Sequence, residues 1–546
     1  HEFNHPVYLA KLVLAYGKTE IQAPAFFDAL AKQAEGQIRK HQFRDHESVY
    51  TIIVTTFAFA ALGYDVPRLF EVLEEEALGQ FDALTFGQLK RMIWSFALAG
   101  HLTPKFEKRA RETALREGEM ADASAFVADP NRNTVQHGMG NTSDDSSRED
   151  LVKDESKVEN LTQEEAEEEG AFDVSAFRRK LWEPSVLAEG KHWIALYKPP
   201  AWDVGRTAFN FEGAFEEQSE EVGEEEWSEV LTEAKPEEAT FKDFADGVDA
   251  GSEGEESAWP QSDPIEFSSI EPDPDDEFWP RRSERDQRQL QNWFEHNLGH
   301  LKGPIHSDPK SLWGIMSRLD YKMSGVLLTA RTHIGANWLA LQWAAGAIEK
   351  EYICLARGWV NRSIREVTKR VRVEREWRYD ESRERWCPFS KTVVSPMGKP
   401  HRTELVTLAH LIKIGSEDIN WFEENGEFDE RYSLVALKLK FGKAHQLRAH
   451  MSSLGHPFVC DKDHAGDIAY VDNLWCSRTF LHAYRLAFED VPEDGSDEGN
   501  KVSAVCALPT DLRSALWMLR PVDERSSKHH ADWLSGESER MRSFAS

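Results

Sequence analysis

"SRLDYKMSGVLLTAR", residues 317–331, sets a charged turn directly against an apolar run. Ser324 and Gly325 close the turn, and residues 325–330 have the length and bounding of a buried strand. Asp320 can cap such a turn, pair with a base or carry out chemistry. The surrounding sequence has to decide which.

Downstream, "GANWLALQWAAGAIEK" (335–350) has helical spacing, and "EYICLARGWV" (351–360) returns as a strand. "YSLVALKLKFGK" (432–443) alternates with period two. "HQLRAHMSSLG" (445–455) places Leu447, Met451 and Leu454 on one helical face, ended by Gly455 and Pro457. Upstream, "HWIALYKPP" (192–200) reads as a strand stopped by two prolines. "SPMGKPHRTEL" (395–405) lacks the glycine spacing of a phosphate cradle and reads as a turn and a strand. This stretch is therefore mixed α/β.

The beginning of the chain is different. "LAYGKTEIQAPAFFDAL" (14–30), "FAALGYDVPRLFEVL" (59–73) and "FALAGHLTPKFEKRA" (96–110) each run from an apolar stretch through Gly and Pro into an amphipathic helix. Gly63 to Gly100 and Pro67 to Pro104 are both 37 residues apart, and Gly17 to Gly63 is 46. Glycine ending one helix and proline starting the next is helix-turn-helix punctuation. A period in this range suits stacked helical units, and a small bundle reads equally well.

The formal net charge of −31 over 546 residues argues against a polyanionic partner until its distribution is seen. Residues 144–170 hold 12 acidic against 3 basic side chains, and residues 207–280 hold 25 against 2. Without these two tracts the chain is close to neutral. Residues 118–170 and 206–285 are poor in aliphatics and bury too little surface to offset ordering entropy, so both read as disordered insertions. The alternative is a phosphate mimic that occupies a basic groove until a polyanionic partner displaces it. Basic protein partners are a further use for such tracts. The five cysteines are scattered and read as reduced thiols. No apolar run is long enough to span a membrane. The first residue is His1, so a targeting segment could precede it and the compartment is not readable there.

Six blocks occur in order: "YKPPAWDV" (197–204), "SRLDYKMSGVLL" (317–328), "KEYICLARGWV" (350–360), "LKFGKAHQLRAHMSSLGHPFVCD" (439–461), "FLHAYRLAF" (480–488) and "ALPTDL" (507–512). Together they resemble the RluA-type RNA pseudouridine synthases over about residues 180–520. The resemblance implies a mixed, mainly antiparallel sheet with flanking helices, here preceded by an all-α segment. It implies isomerisation of a uridine in structured RNA, ribosomal or transfer RNA being the favoured classes, without cofactor or metal. By the same resemblance Asp320 is the catalytic carboxylate, Tyr352 stacks on the base and takes part in proton transfer, and Arg448 keeps Asp320 ionised and aimed. Arg318 is the candidate to fill the space left by the extracted base. Lys443, His445 and Gln446 are expected to contact substrate. His445, His450 and His456 are not read as a zinc site, because no carboxylate or Cys has suitable local spacing.

Ser317 and Met323 stand where the family usually has His and Thr, and Lys443-Ala444 replaces Arg-Thr. Ser317 and Met323 motivate an alternative, an RNA-binding or ribosome-assembly protein that retains the fold and has lost turnover. The expected organisation is a helical repeat segment at 1–117, an acidic linker at 118–175, a synthase domain at 176–522 and a polar tail at 523–546. The helical stretches are similar to octotricopeptide-type repeats, which points to a mitochondrion or plastid, with the cytoplasm as the alternative.

Overall fold

The computed structural model describes Val13 and residues 24–40, 46–128, 182–204, 289–380, 385–413, 430–493 and 499–537. The acidic runs at 144–170 and 207–280 lie outside these residues; of the stretches expected to be disordered, residues 118–128 are described and are helical.

The N-terminal segment is helical: α1 (Pro24–Lys40), α2 (His46–Leu62), α3 (Pro67–Gly79), α4 (Phe86–Ala99) and α5 (Pro104–Ala128). The punctuation read from the sequence is present. Gly63 (φ 64°) follows α2 and Gly100 (φ 80°) ends α4, both left-handed, while Pro67 and Pro104 open the next helices. Thr85 starts α4 with a capping box in which its hydroxyl accepts from Gln88 N and Gln88 answers on Thr85 N. Helix α2 is apolar all round and buried, so it forms the centre of the bundle rather than an exposed face.

The remainder builds one sheet. Its strands are β1 (Ser185–Glu189), β2 (Trp193–Lys198), β3 (Ser324–Ala330), β4 (Glu349–Arg357), β5 (Glu366–Asp380), β6 (Arg385–Val394), β7 (Lys399–Lys413), β8 (Arg431–Leu439), β9 (Leu481–Glu489), β10 (Lys501–Val505) and β11 (Leu519–Pro521). The order is β1-β2-β3-β9-β4-β8-β7-β5-β6, with β10 on β9 and β11 on β7. Every pairing is antiparallel except β3 with β9, which meet through Ser324–His482 and Gly325–Ala483. The expected mixed, mainly antiparallel sheet is thus observed, and its parallel seam begins at the turn that opened the sequence analysis.

Among the described residues, the α-helices flanking the sheet are α6 (Leu290–Asn297), α7 (His333–Ala345), α8 (Gln446–Ser453), α9 (Lys462–Ala465), α10 (Ile468–Asp472), α11 (Thr510–Trp517) and α12 (Glu524–Ser535). Leu447 and Met451 of α8 enter a core with Leu327, Leu405 and Leu437, and Leu454 packs against it, as the helical spacing required. Among the described residues no helix is long and apolar enough to cross a membrane.

Three features differ from the sequence reading. Helix α5 runs to Ala128, past the boundary expected at residue 117. The helical segment is joined to the sheet directly: the Asp122 carboxylate accepts from His333 N at 2.8 Å and Ile334 N at 3.1 Å at the start of α7. Arg111 pairs with Glu489 at 3.1 Å and lies 5.0 Å from the Trp338 ring. Finally, residues 524–535 are not a polar tail but helix α12. Its Trp533 is buried edge-on to Tyr484 at 5.0 Å, and Ser526 Oγ accepts from His410 N at 2.9 Å. The helix was hidden in sequence because one aromatic residue supplies its main contact with the core.

The long insertion leaves after Val204 and returns at Gln289. Asp203 bridges Gln289, and Leu290 N donates to Asp203 O at 3.0 Å, so the chain departs and re-enters at one point.

Candidate active site

Asp320 lies on the turn leading into β3, with Met323 N donating to Asp320 O at 2.9 Å. Its side chain is 37% exposed, open enough for a substrate to reach the carboxylate. The turn is fixed from below. Lys198, at the end of β2, is completely buried, and its Nζ donates to the carbonyls of Pro199 (3.1 Å), Asp320 (3.3 Å) and Met323 (2.8 Å), with Tyr321 O at 3.5 Å. Burial, helped by the charge of Arg478, lowers the Lys198 pKa to about 7, against the opposing pull of Asp320 and Asp203.

A second buried cation braces the other end. Arg478 pairs with Asp511 at 2.6 Å and donates to Lys322 O at 3.1 Å and Ser324 Oγ at 2.8 Å. Ser324 Oγ in turn meets His482 Nδ1 at 2.9 Å, and burial lowers the His482 pKa to about 4, leaving a neutral ring. Ala201 N donates to Tyr321 O at 2.8 Å, with Ala201 itself left-handed at φ 65°. The catalytic candidate is therefore an accessible carboxylate on a backbone held by two buried basic side chains, an arrangement suited to fixed geometry.

Tyr352 on β4 is half-buried against the core beside this turn. Burial first, and the charge of Asp320 second, raise its pKa, so the hydroxyl stays protonated. His445 precedes α8 in a left-handed conformation (φ 57°), which brings Nε2 to 3.6 Å from Asp320 Oδ2. Burial lowers the His445 pKa, with Asp320 opposing. Arg318 is exposed at the rim of the same turn.

Two expected roles are revised. Arg448 does not form its ion pairs with Asp320: Nε donates to Asp461 Oδ2 at 2.8 Å, and Nη2 donates to the other Asp461 oxygen and to Asp463 at 2.6 Å. Asp461 is buried and is held well below the usual carboxylate range: burial alone would raise it, but Arg448 and His464 dominate. Asp320 still acts on Arg448 through charge, at longer range. Gln446 points inward rather than to substrate. Its Oε1 accepts from Lys443 N at 3.0 Å, and its Nε2 donates to Arg402 O and Thr403 Oγ1, both at 3.1 Å. Lys443 is half-buried in the turn that Gln446 ties down.

The departures at Ser317 and Met323 serve the fold. Ser317 Oγ accepts from Leu328 N at 3.2 Å, and Met323 is buried in the core. His450 bonds Thr403 and Lys369 O, and His456 bonds Arg357 O, so the three histidines are dispersed. Among the described residues no cluster of three potential ligands could hold a metal. Sequence reasoning gave no role to Lys198, Arg478, Asp461 or Asp511. A lysine ending an apolar strand, in "HWIALYKPP", was the one visible signal.

Residues 304–453, which carry Asp320, Tyr352 and Arg448, match a family model described as RNA pseudouridylate synthase. The chain is 30% identical over 207 residues to an uncharacterized RNA pseudouridine synthase of Mycobacterium bovis, covering 38% of this chain and 56% of the relative. It is 33% identical over 174 residues to tRNA pseudouridine synthase C of Yersinia pestis, covering 31% of this chain and 60% of the relative. It is 28% identical over 181 residues to ribosomal large subunit pseudouridine synthase C of Haemophilus ducreyi, covering 32% and 47%. The chain thus spans about half the length of these relatives. The solved structure titled Human RNA Pseudouridylate Synthase Domain Containing 1 aligns with 62% of this chain and 89% of its own, at 17% identity and a TM-score of 0.34.

Proposed function

We propose that this chain is an RNA pseudouridine synthase of the RluA type, with Asp320 as its catalytic carboxylate. The observation that carries the reading is Asp320 itself: accessible at 37% exposure, on a turn locked by Lys198 and Arg478, inside the segment similar to such synthases. The reaction breaks the N-glycosidic bond of a uridine, rotates the base, and forms a C–C bond through C5, with loss of the C5 proton and protonation of the freed N1. Asp320 can serve by covalent attack on the sugar or the ring, or by assisting elimination. Tyr352, protonated and beside Asp320, suits stacking on the base. It can pass a proton only by handing its own to a neighbour, and the Asp320 carboxylate is the natural acceptor.

Arg448 is read here as a charge held at fixed distance by Asp461, acting on Asp320 through the field rather than by contact. Arg318 is placed to meet RNA around the extracted nucleotide. Two of the named relatives are by name a tRNA and a ribosomal large subunit pseudouridine synthase, and we propose the same broad classes of RNA here. The N-terminal helices, if repeats of the octotricopeptide type, would help choose the RNA from a position fixed on α7. Basic partners for the acidic tracts stay part of the proposal. The binding-only alternative rested on Ser317 and Met323; both serve packing and backbone hydrogen bonding, so no specific observation favours it.

The test is expression of the full chain or Asp320→Ala in a synthase-deficient host, with pseudouridines mapped across total RNA by carbodiimide-blocked reverse transcription. New sites that vanish with Asp320→Ala are expected. Sites that persist in that variant would reject Asp320 as the catalytic group. For RNA from the native source, unchanged modification after loss of the protein would reject the enzyme reading.

A further inference from the structure

The turn "KAHQLR" (443–448) spends its polar side chains unevenly. Gln446 ties it to β7 through Arg402 O and Thr403 Oγ1, and Arg448 anchors the following helix to Asp461 and Asp463. From β6, Thr392 Oγ1 donates to Ala444 O, and His464 Nε2 donates to Thr392 O at 3.0 Å. Between these ties His445 is held left-handed at φ 57°, a conformation that glycine adopts freely and other residues only at a cost. The result is a ring aimed at the Asp320 turn. Nε2 stands 3.6 Å from Asp320 Oδ2, with the His445 side chain 22% exposed. Burial lowers the His445 pKa; Arg448 and His464 add to this, and Asp320 and Asp463 oppose it, so the ring is neutral near pH 7. A carboxylate can only accept, so the nitrogen that faces it must carry the single hydrogen of the neutral ring.

We propose that His445 is a positioning residue for Asp320, its Nε2–H tethering Oδ2 so that Oδ1 is presented to the uridine. This rests on the synthase reading above and adds what aims the carboxylate. Lys198 and Arg478 leave that open, because they hold main-chain carbonyls and Ser324. A fixed main chain leaves the side-chain torsions of Asp320 free, and a hydrogen bond to one oxygen removes that freedom. Catalytic hydrogen bonds commonly stand long in a free enzyme and tighten once substrate excludes water. The neutral state of the ring matters, since an imidazolium would form a full ion pair and draw down the charge of the carboxylate. The strain at position 445 then has a use: the left-handed backbone is what brings Nε2 to Asp320. Gln446 gains one as well, as the side chain that holds His445 in place from β7.

The experiment uses the full chain, with RNA from a synthase-deficient host carrying tritium at C5 of uridine as probe, because the reaction must release that hydrogen to water. His445→Gly removes the side chain and eases the left-handed backbone, so it tests the ring without straining the fold. Its single-turnover rate of release is expected to fall on the order of 100-fold, with the half-saturating RNA concentration little changed. His445→Gln, whose amide can place a donor near the Nε2 position, is expected to recover most of that loss. A wild-type rate in His445→Gly would overturn the proposal. So would an equal loss in both variants, which would assign the ring a role that an amide donor cannot fill. The pair is also read without turnover, by NMR of isotope-labelled histidine, the His445 signal being identified by its absence from His445→Gln. Asp320→Asn is expected to lower the His445 titration midpoint, and an unmoved midpoint would overturn the pairing whatever the activity. No release by the wild-type chain, with the midpoint shifted as expected, would instead reject the synthase reading and the use of the pair in it.

Discussion

The Lys198 ammonium, wholly buried, donates to the main-chain carbonyl of Asp320 at 3.3 Å. It therefore fixes the backbone of the proposed catalytic residue without touching its carboxylate. Lys198→Met keeps the stem and removes the donors, leaving carbonyls that have lost their shared partner. We expect a stability loss of about 1–3 kcal/mol and a fall in kcat on the order of 100-fold from a displaced turn. Urea unfolding checks the first and single-turnover kinetics the second. A variant that unfolds at lower urea yet turns over normally would separate Lys198 from catalysis.

Asp461 holds Arg448 by two hydrogen bonds at a buried position, whereas Asp463 is 19% exposed. Asp461→Asn removes the buried countercharge, and about 3 kcal/mol of stability should go with it. Asp463→Asn should cost less than Asp461→Asn, because Asp463 is 19% exposed whereas Asp461 is fully buried. In turnover assays Asp461→Asn is expected to be the more damaging of the two, since Arg448 loses its fixed position.

Gly325 has φ 137°, and a Cβ there would stand 2.2 Å from Ala483 O across the parallel seam. Gly325→Ala must separate β3 from β9 beside the Asp320 turn. A loss of more than about 3 kcal/mol is expected. Gly87→Ala, at an open position in α4, should be neutral or gain up to about 1 kcal/mol. Thermal unfolding of both variants checks the contrast.

His333 and Asp122 join the helical segment to α7 at 2.8 Å. The His333 pKa is raised above its ordinary 6.5, chiefly by the hydrogen bond to Asp122. Its contribution is therefore complete below pH 6.5 and is lost as pH rises through the raised value. Burial would raise the Asp122 pKa, but the hydrogen bonds from His333 and Ile334 N win and lower it below 3.8. That contribution is present above pH 3.8 and is lost as pH falls through the lowered value. The gap in Tm between wild type and His333→Asn should accordingly shrink as pH rises from about 5.5 to about 8.5. A gap independent of pH would show that His333 acts by packing alone.

Much of the sheet was readable because its signals are local. The Leu447 and Met451 spacing predicted one buried face of α8, and the prolines after Lys198 stopped β2 where the structure stops it. The site was readable only as a set of ordered blocks around Asp320, Tyr352 and Arg448. Their partners were not, because a salt bridge such as Arg448 with Asp461 depends on how a left-handed Cys460 (φ 61°) turns the chain back on itself. Gln446 illustrates the same limit: as a polar residue it reads as a substrate contact, yet the fold spends both ends of its amide on Lys443, Arg402 and Thr403.

By itself, then, the sequence determined the α/β pattern, the helical start of the chain, the placement of acidity in two tracts and the residue types available for chemistry. Periodicity, turn residues and charge are properties of neighbouring positions, so they survive without coordinates. Only the tertiary structure decided that Lys198 and Arg478 brace the Asp320 turn, that His445 rather than Arg448 stands nearest its carboxylate, and that α12 and α5 belong to the body of the fold. Those outcomes depend on which distant groups are buried together, and a buried charge selects its partner by desolvation and geometry, neither of which is written along the chain.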